Sequence, residues 1–418
     1  MQKDLTRLLR DPNLIPPEKQ NLLSCIADQS ASLGMPCYLV GGFVRDLLLG
    51  QSINDFDIVV EGDAIQLGES LVKKYGGKLT QHYKFHTAIW HLPSSFLIHP
   101  SSLDLITARS ETYAHPGALP TVKPSTIDDD LRRRDFTINA MAVRLDGDHF
   151  GEMLDPLDGQ SDLEQKLIRV LHPHSFVDDP TRIFRTVRYA ERYSFIIHPS
   201  SLILVNSASL AVLQDLSGER IRHELDLVFQ EENSVQMLGR LHELGVFDAF
   251  HPSLPKFNLG YADFLKSVSR MEFGIPRDQV TVGYLLWLLD SPLEVVETLS
   301  KRLDFSSALR ESCISIIQLK KDLPSLKDSK PSVWTFRLEK IPPLAVYVLW
   351  LVSDEPALKE FLVKWRHIKP KTTGNDLKAR GLTAGPRYRE ILTKLRTAWL
   401  DGEVKSEKEE VELLNRLL

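Results

Sequence analysis

Two aspartates one residue apart, Asp55 and Asp57, sit at the start of the apolar stretch DFDIVVE. On a strand the side-chain period is two, so both carboxylates point to one face. Like charges this close repel, and the pair is held most easily with a divalent cation between them. A turn cap at Asp55 after Asn54, with Asp57 merely exposed, is the competing reading. The upstream residues weigh against it. Gly41 and Gly42 end the short apolar run CYLV and open a helical turn. Backbone N–H groups at such a turn can approach an anion closely. Arg45, one turn into that helix, can reach the same anion. The unit can therefore hold a triphosphate at the turn and a metal at the carboxylates. Asp104, inside the apolar strand SSLDLITA, is the candidate third carboxylate, since a charge there needs a partner. An edge-strand charge is the alternative.

A second constellation is basic. LRRRDF places three arginines at Arg132 to Arg134, and RIFRTVRYAERY places four between Arg182 and Arg192. Asp179 followed by Pro180 predicts an N-cap and first helical residue. Arg182, Arg185, Arg188 and Arg192 then fall within roughly a third of the helix circumference. Four cations on one face call for an anionic partner, and phosphates are the natural one. A solvated basic face is the alternative, as an exposed charge run is for Arg132 and Arg133.

These residues need elements to position them. Strands are expected at CYLV, DFDIVVE, HTAIWHL and SSLDLITAR, mixed with helices, over about the first 145 residues. From about 160 onward the pattern is helical almost throughout, with breaks at HPSLPKFNLG, KDLPSLKDSKPSVW and IKPKTTG. The expected class is α+β. Residues 110–130, rich in proline, serine and glycine, are too long for a routine connection and read as a functional flap or a partly mobile segment.

The 418 residues are 43% hydrophobic and 26% charged, with a net charge of −5, so no uniformly positive coat is present. No apolar run approaches the roughly 18 residues of a membrane span. The N-terminal stretch lacks the apolar core of a secretion signal. Cys25, Cys37 and Cys313 are far apart, which fits reduced thiols in a cytoplasmic protein. No HExxH or paired-cysteine pattern marks a zinc site.

YLVGGFVRDLLLG followed by NDFDIVV resembles the first signature of the class II tRNA nucleotidyltransferase and bacterial poly(A) polymerase family, within the polymerase-β-like nucleotidyltransferases. LRRRDFTINAMA (131–142), LDPLDG (154–159), DDPTRIFRTVRYA (178–190) and GERIRHEL (218–225) resemble the next four, in order. TTGNDLKARGLTAGPRYREIL (372–392) is similar to the helical tail of CCA-adding members. The resemblance implies a nucleotidyltransferase head over 1–160, and a helical neck carrying the nucleotide-selecting motif over 161–230. A helical body over 231–320 and a tRNA-binding helical tail over 321–418 follow. It implies template-independent addition of CMP, AMP or both, from CTP and ATP, to the tRNA 3′ end, with release of pyrophosphate.

Carried onto this chain, the resemblance makes Asp55, Asp57 and Asp104 catalytic, with Mg²⁺ on Asp55 and Asp57. Gly41, Gly42 and Arg45 would bind the triphosphate. Arg134 and Asp135 would hold the ribose, helped by Asn139. Asp179 and Arg182 would read the base edge in place of a template, supported by Arg185 and Arg188. Lys369, Lys371, Lys378, Arg380, Arg387 and Arg389, in or beside the tail signature, are the candidates for tRNA contact. Complete CCA addition is the first expectation, with an A-adding or CC-adding enzyme as the alternative. The segment ETYAHPGALPTVKP differs from the basic RRP-containing loop of many complete enzymes. Poly(A) polymerase is disfavoured because no GRRF-like element follows the first motif. A non-catalytic RNA-binding relative is disfavoured because both aspartates are present. Neither a membrane nor an obligatory protein partner is implied.

Overall fold

In the computed structural model, residues 4–51, 53, 56–96, 101–267, 273–276 and 278–418 are described. Chain contacts divide the protein into two units. The first is Met1–Leu216 with Leu244–Phe250, and the second is Ser217–Glu243 with His251–Leu418.

The first unit opens with helices α1 (Thr6–Leu9) and α2 (Pro17–Ser32), then β1 (Cys37–Val40), α3 (Gly42–Leu48), β2 (Asp57–Val60) and α4 (Ala64–Tyr75). Strands β3 (Lys78–His82), β4 (Thr87–His91), β5 (Ser102–Thr107), β6 (Arg109–Thr112) and β7 (Thr121–Pro124) follow. Helix α5 (Ile127–Arg132), strands β8 (Ala142–Arg144) and β9 (Met153–Leu154) and helix α6 (Gly159–Glu164) complete the head. The main sheet runs β3-β4-β5-β2-β1-β8-β9. Its neighbours are antiparallel except β2 and β5, which are parallel. That one parallel pair sets Asp57 directly beside Asp104 in register.

One face of the β3–β4–β5 corner is sealed by α4. Asp63 starts that helix by accepting hydrogen bonds from the Ile65 and Gln66 amides. Its buried stripe is Ala64, Ile65, Leu67, Gly68 and Leu71. Gly68 permits the approach, because a Cβ there would meet Leu79 at 2.6 Å. Trp90, fully buried, donates its indole N–H to the Gly76 carbonyl at 3.0 Å. On the other face, Tyr38, Val40, Val59 and Ala142 pack with Ile127 and Leu131, while toward β3 that face carries the exposed side chains of Lys78, Thr80 and His91.

Residues 110–130 contain more structure than the expected flap. β6 and β7 pair antiparallel, from Arg109 opposite Pro124 to Thr112 opposite Thr121. Between them, the Gly117 N–H donates to the Val177 and Asp178 carbonyls at 3.1 and 3.2 Å.

After α6 the chain is mostly helical. A two-residue parallel pair of β10 (Leu167–Ile168) and β11 (Ile196–Ile197) brackets α7 (Ser175–Asp178) and α8 (Thr181–Tyr193). The second unit contains helices including Gly218–Phe229, Gln279–Leu288, Ser307–Leu326, Pro343–Ser353, Pro386–Leu400 and Glu407–Leu417. A break falls within KDLPSLKDSKPSVW, as expected. The helix Ser307–Leu326 continues through Pro324, and Pro331 starts the next one at its first position. Asp155 proves to be a turn residue, its carboxylate accepting from the Gly159 and Gln160 amides at 2.7 and 2.9 Å. Among the described residues, no helix is long and apolar enough to cross a membrane.

Candidate active site

The turn after β1 fixes the geometry. Gly41 has φ +64° and ψ −122°, a conformation that resists a side chain. A Cβ at Gly41 would also lie 2.5 Å from Arg134 Nη1, so glycine leaves room for that guanidinium. Gly42 then begins α3, which carries Arg45 and Asp46.

A cavity of about 390 Å³ opens beside this turn. Its lining includes Gly42, Arg45, Asp57, Arg134, Asp135, Asn139, Arg185, Arg192 and the Tyr189–Tyr193 pair. Of the sequence-expected nucleotide residues, this cavity gathers Gly42, Arg45, Arg134, Asp135, Asn139 and Arg185. Gly41 lies against Arg134, and Asp179, Arg182 and Arg188 are outside the lining.

The walls are held by buried polar bonds. Arg45 donates from Nη1 to Asn139 Oδ1 at 2.6 Å and grips Asp46 with Nε and Nη2 at 2.8 and 3.0 Å. Its guanidinium carbon lies 4.8 Å from the Tyr193 ring centroid and 5.4 Å from that of Tyr189. Burial works to lower the Arg45 pKa, but the Asp46 hydrogen bonds and the neighbouring Tyr193 and Asp46 outweigh it and hold it above its ordinary value. Asn139 in turn donates to Asp135 Oδ1 at 3.0 Å, and Arg185 grips the other oxygen of Asp135 with Nε at 2.8 Å and with Nη2. Burial opposes charge on Asp135, yet Arg185 and Asn139 keep its pKa below the ordinary value.

Asp130, fully buried, does the same work one turn earlier. It accepts from Arg133 through Oδ1 and from Arg134 through Oδ2, at 2.7 and 2.9 Å. Burial alone would raise its pKa, and Arg134 and Arg133 hold it down. Arg133 also reaches Glu111 at 2.9 Å, so it is no exposed charge. Arg132 is one: it pairs with Asp128 with both side chains about half exposed.

Asp179 ends α7, and its side chain bonds the first turn of α8 from one residue ahead of the helix's N-cap, Pro180. Its Oδ1 accepts from the Thr181 N–H at 3.1 Å and the Thr181 hydroxyl at 2.6 Å. Arg182 is buried, donating to Ser175 Oγ at 2.8 Å and to the Arg133 carbonyl at 2.9 Å. Arg188 is buried as well. The flap residue Tyr113 donates to Glu111 at 3.1 Å. Burial pushes its phenol up to about 12, with Arg182 opposing and Glu111 adding.

Asp57 and Asp104 are both exposed and in register on adjacent parallel strands. Strand spacing puts such neighbours about 4.8 Å apart. Carboxylate oxygens at that spacing fit a hard divalent cation. Asp55 lies outside the described residues.

Sequence reading alone missed Asp46, Glu111, Asp130, Tyr189 and Tyr193. The two tyrosines stack at 6.1 Å with an interplanar angle of 13°. Their spacing of four along the arginine helix was a usable signal, as was the run Asp128–Asp130 just ahead of three arginines.

In the second unit the six tail cations are all exposed. Lys371 pairs with Glu407 at 3.5 Å, Arg380 donates to Asn415 at 2.6 Å, and Arg387 donates to the Leu418 carbonyl at 2.8 Å. Buried Glu410 accepts from the Lys371 and Thr372 amides at 2.9 and 2.6 Å, which orders the start of the tail signature.

The family described as Poly A polymerase head domain matches residues 37–169. One described as Probable RNA and SrmB- binding site of polymerase A matches 195–257. An A-adding tRNA nucleotidyltransferase of Halalkalibacterium halodurans is 33% identical over 400 residues, covering 93% of this chain and 90% of that one. The chain belongs to the class II tRNA nucleotidyltransferase and bacterial poly(A) polymerase family. Another relative within this family, the A-adding tRNA nucleotidyltransferase of Geobacter sulfurreducens, is 36% identical over 92% of this chain, which spans 45% of its length. A solved CCA-adding enzyme in its apo form superposes with a TM-score of 0.83 at 31% identity, covering 100% of both chains. The family's mixed-sheet head and mostly helical remainder are the architecture found here.

Proposed function

We propose that this protein adds AMP from ATP to the 3′ end of tRNA. The observation that carries this reading is the near end-to-end match to the H. halodurans A-adding enzyme. This moves the first expectation from complete CCA addition to A addition. In the reaction the terminal 3′ oxygen bonds to the α-phosphorus, the bond between the α-phosphorus and the bridging oxygen breaks, and pyrophosphate leaves.

The chain's own residues bind and orient the reactants. Arg134, expected at the ribose, lies against Gly41, so the Gly41–Gly42 turn and Arg134 receive the triphosphate while Arg45 is engaged with Asp46 and Asn139. Asp135 and Asn139, locked by Arg185 and Arg45, hold the ribose. Fixed donors in a walled cavity need little reorganisation during reaction. Asp55, Asp57 and Asp104 would hold Mg²⁺, which would supply charge neutralisation and a lowered pKa for the attacking hydroxyl. Asp179 and Arg182 select the base: a guanidinium fork and a carboxylate match the donors and acceptors of a base edge. For this, Arg182 exchanges its bonds to Ser175 and the Arg133 carbonyl for bonds to the base. The exposed tail cations hold the tRNA by phosphate and shape contacts.

The test offers labelled ATP and CTP to tRNA transcripts ending before C, before CC and after CC. A addition predicts label from ATP on the transcript ending in CC, and no CTP incorporation on any. CTP incorporation into the shorter transcripts establishes complete CCA addition, the second reading, which the full-length likeness to a CCA-adding enzyme favours. Arg182→Ala is expected to lose discrimination between ATP, CTP and UTP. Unchanged nucleotide choice in that variant removes Arg182 from base selection.

A further inference from the structure

The open face of the sheet extends past Asp104, away from the cavity. Thr80, Ile89, Asp104 and Asp57 form one cross-strand row on that face, and Lys78 and His91 begin the next. Lys78, Thr80 and His91 are exposed. The turn joining β3 to β4 carries Tyr83 and Phe85, 67% and 48% exposed, with Lys84 between them. The Lys84 ammonium lies 5.6 Å from the Phe85 ring centroid.

Two large rings standing in water on one short turn leave apolar surface that folding does not use. Rings beside a cation are the chemistry that stacks the bases and holds the phosphates of a single nucleic-acid strand.

Position decides which strand. The nucleotide cavity lies on the β1, α3 and α8 side of Asp57. In-line transfer brings the attacking hydroxyl to the α-phosphorus from the side opposite the leaving group. Seen from the cavity, the sheet beyond the carboxylates is the open face of β5, β4 and β3. At about 4.8 Å per strand, β3 is about 14 Å from β2, a short single-stranded run.

Resting on the nucleotidyl-transfer reading above, we infer that this open face is the track for the 3′-terminal, single-stranded nucleotides of the RNA substrate, with bases stacked on Tyr83 and Phe85. Lys84 faces the phosphates of that strand.

The test is Tyr83→Ala and Phe85→Ala, singly and together, in the full chain, with ATP and a tRNA transcript ending in CC. The KM for tRNA is expected to rise about five-fold or more per ring removed. The KM for ATP and the thermal midpoint stay at wild-type values, and Tyr83→Phe restores the RNA KM. A 4-thiouridine placed near the transcript's 3′ end crosslinks to the 78–91 segment in the wild type and not in the double variant. Active wild type with unchanged RNA KM in both variants overturns this inference alone and leaves the rings to a protein contact. Wild type that incorporates no nucleotide overturns the transfer reading and this inference with it.

Discussion

The cavity below the Gly41–Gly42 turn and the helical tail both collect arginines, and they hold them in opposite ways. In the cavity wall, Arg45, Arg134 and Arg185 are pinned by Asp46, Asp130 and Asp135, carboxylates that are buried or half-buried. In the tail, Lys369, Lys378 and Arg389 stand in water. Buried pairs are screened little by salt and lose heavily when one partner is removed. Exposed cations are screened strongly and contribute little to stability. The difference separates fixed positioning of a small nucleotide from adaptable adhesion to a long polyanion.

The largest expected effect lies at the cavity's edge. Asp57→Ala should lower nucleotide incorporation by about 10²-fold or more. Its thermal midpoint should stay near wild type, because Asp57 is exposed. Near-normal incorporation by the purified variant removes Asp57 from catalysis.

Next is Asp135→Ala, which strands Arg185 and Asn139. Denaturant unfolding should show a loss of about 3 kcal/mol, the low end for a buried pair because Arg185 is partly open to water. The pH dependence has a definite sign. The folded-state pKa of Asp135 is lowered, so its stabilisation is fully present above the ordinary aspartate value. That stabilisation is lost as pH falls through the lowered one. The stability gap between wild type and variant should therefore close on acidification. A gap that is constant with pH would mean the pair contributes packing alone.

The smallest effect belongs to the tail. Lys378→Ala and Arg389→Ala should each reduce the slope of log affinity for tRNA against log salt by about one. Neither should change the KM for ATP. Unchanged slopes would place both cations outside the RNA contact and erase the contrast on that side.

The parts of this arrangement legible in the sequence were the local ones. The glycine turn, Asp57 and the arginine helix are each encoded within a short stretch of chain, where strand and helix periods decide direction. Asp104 was suspected only as a charge in an apolar strand, and the register that sets it beside Asp57 is a property of the assembled sheet. The arginine face was the harder case. Four cations on one side of α8 called for an anion, but Arg182 is matched by Ser175 and by a carbonyl 49 residues away in sequence, and Arg185 by Asp135. Glu111 sits in a segment that read as a loose flap, and its role emerges only when β6 brings it to Arg133.

The parallel pairing of β2 with β5 makes the site sensitive to the length of those strands. Because Asp57 and Asp104 meet through strand register, deleting one residue within β5 before Asp104 would turn that carboxylate toward the side sealed by α4 and bring a hydrophobic neighbour out. A one-residue change of length inside either strand should therefore remove the acid from the site as surely as its substitution would, whereas the turns between β2 and β5 leave the register untouched.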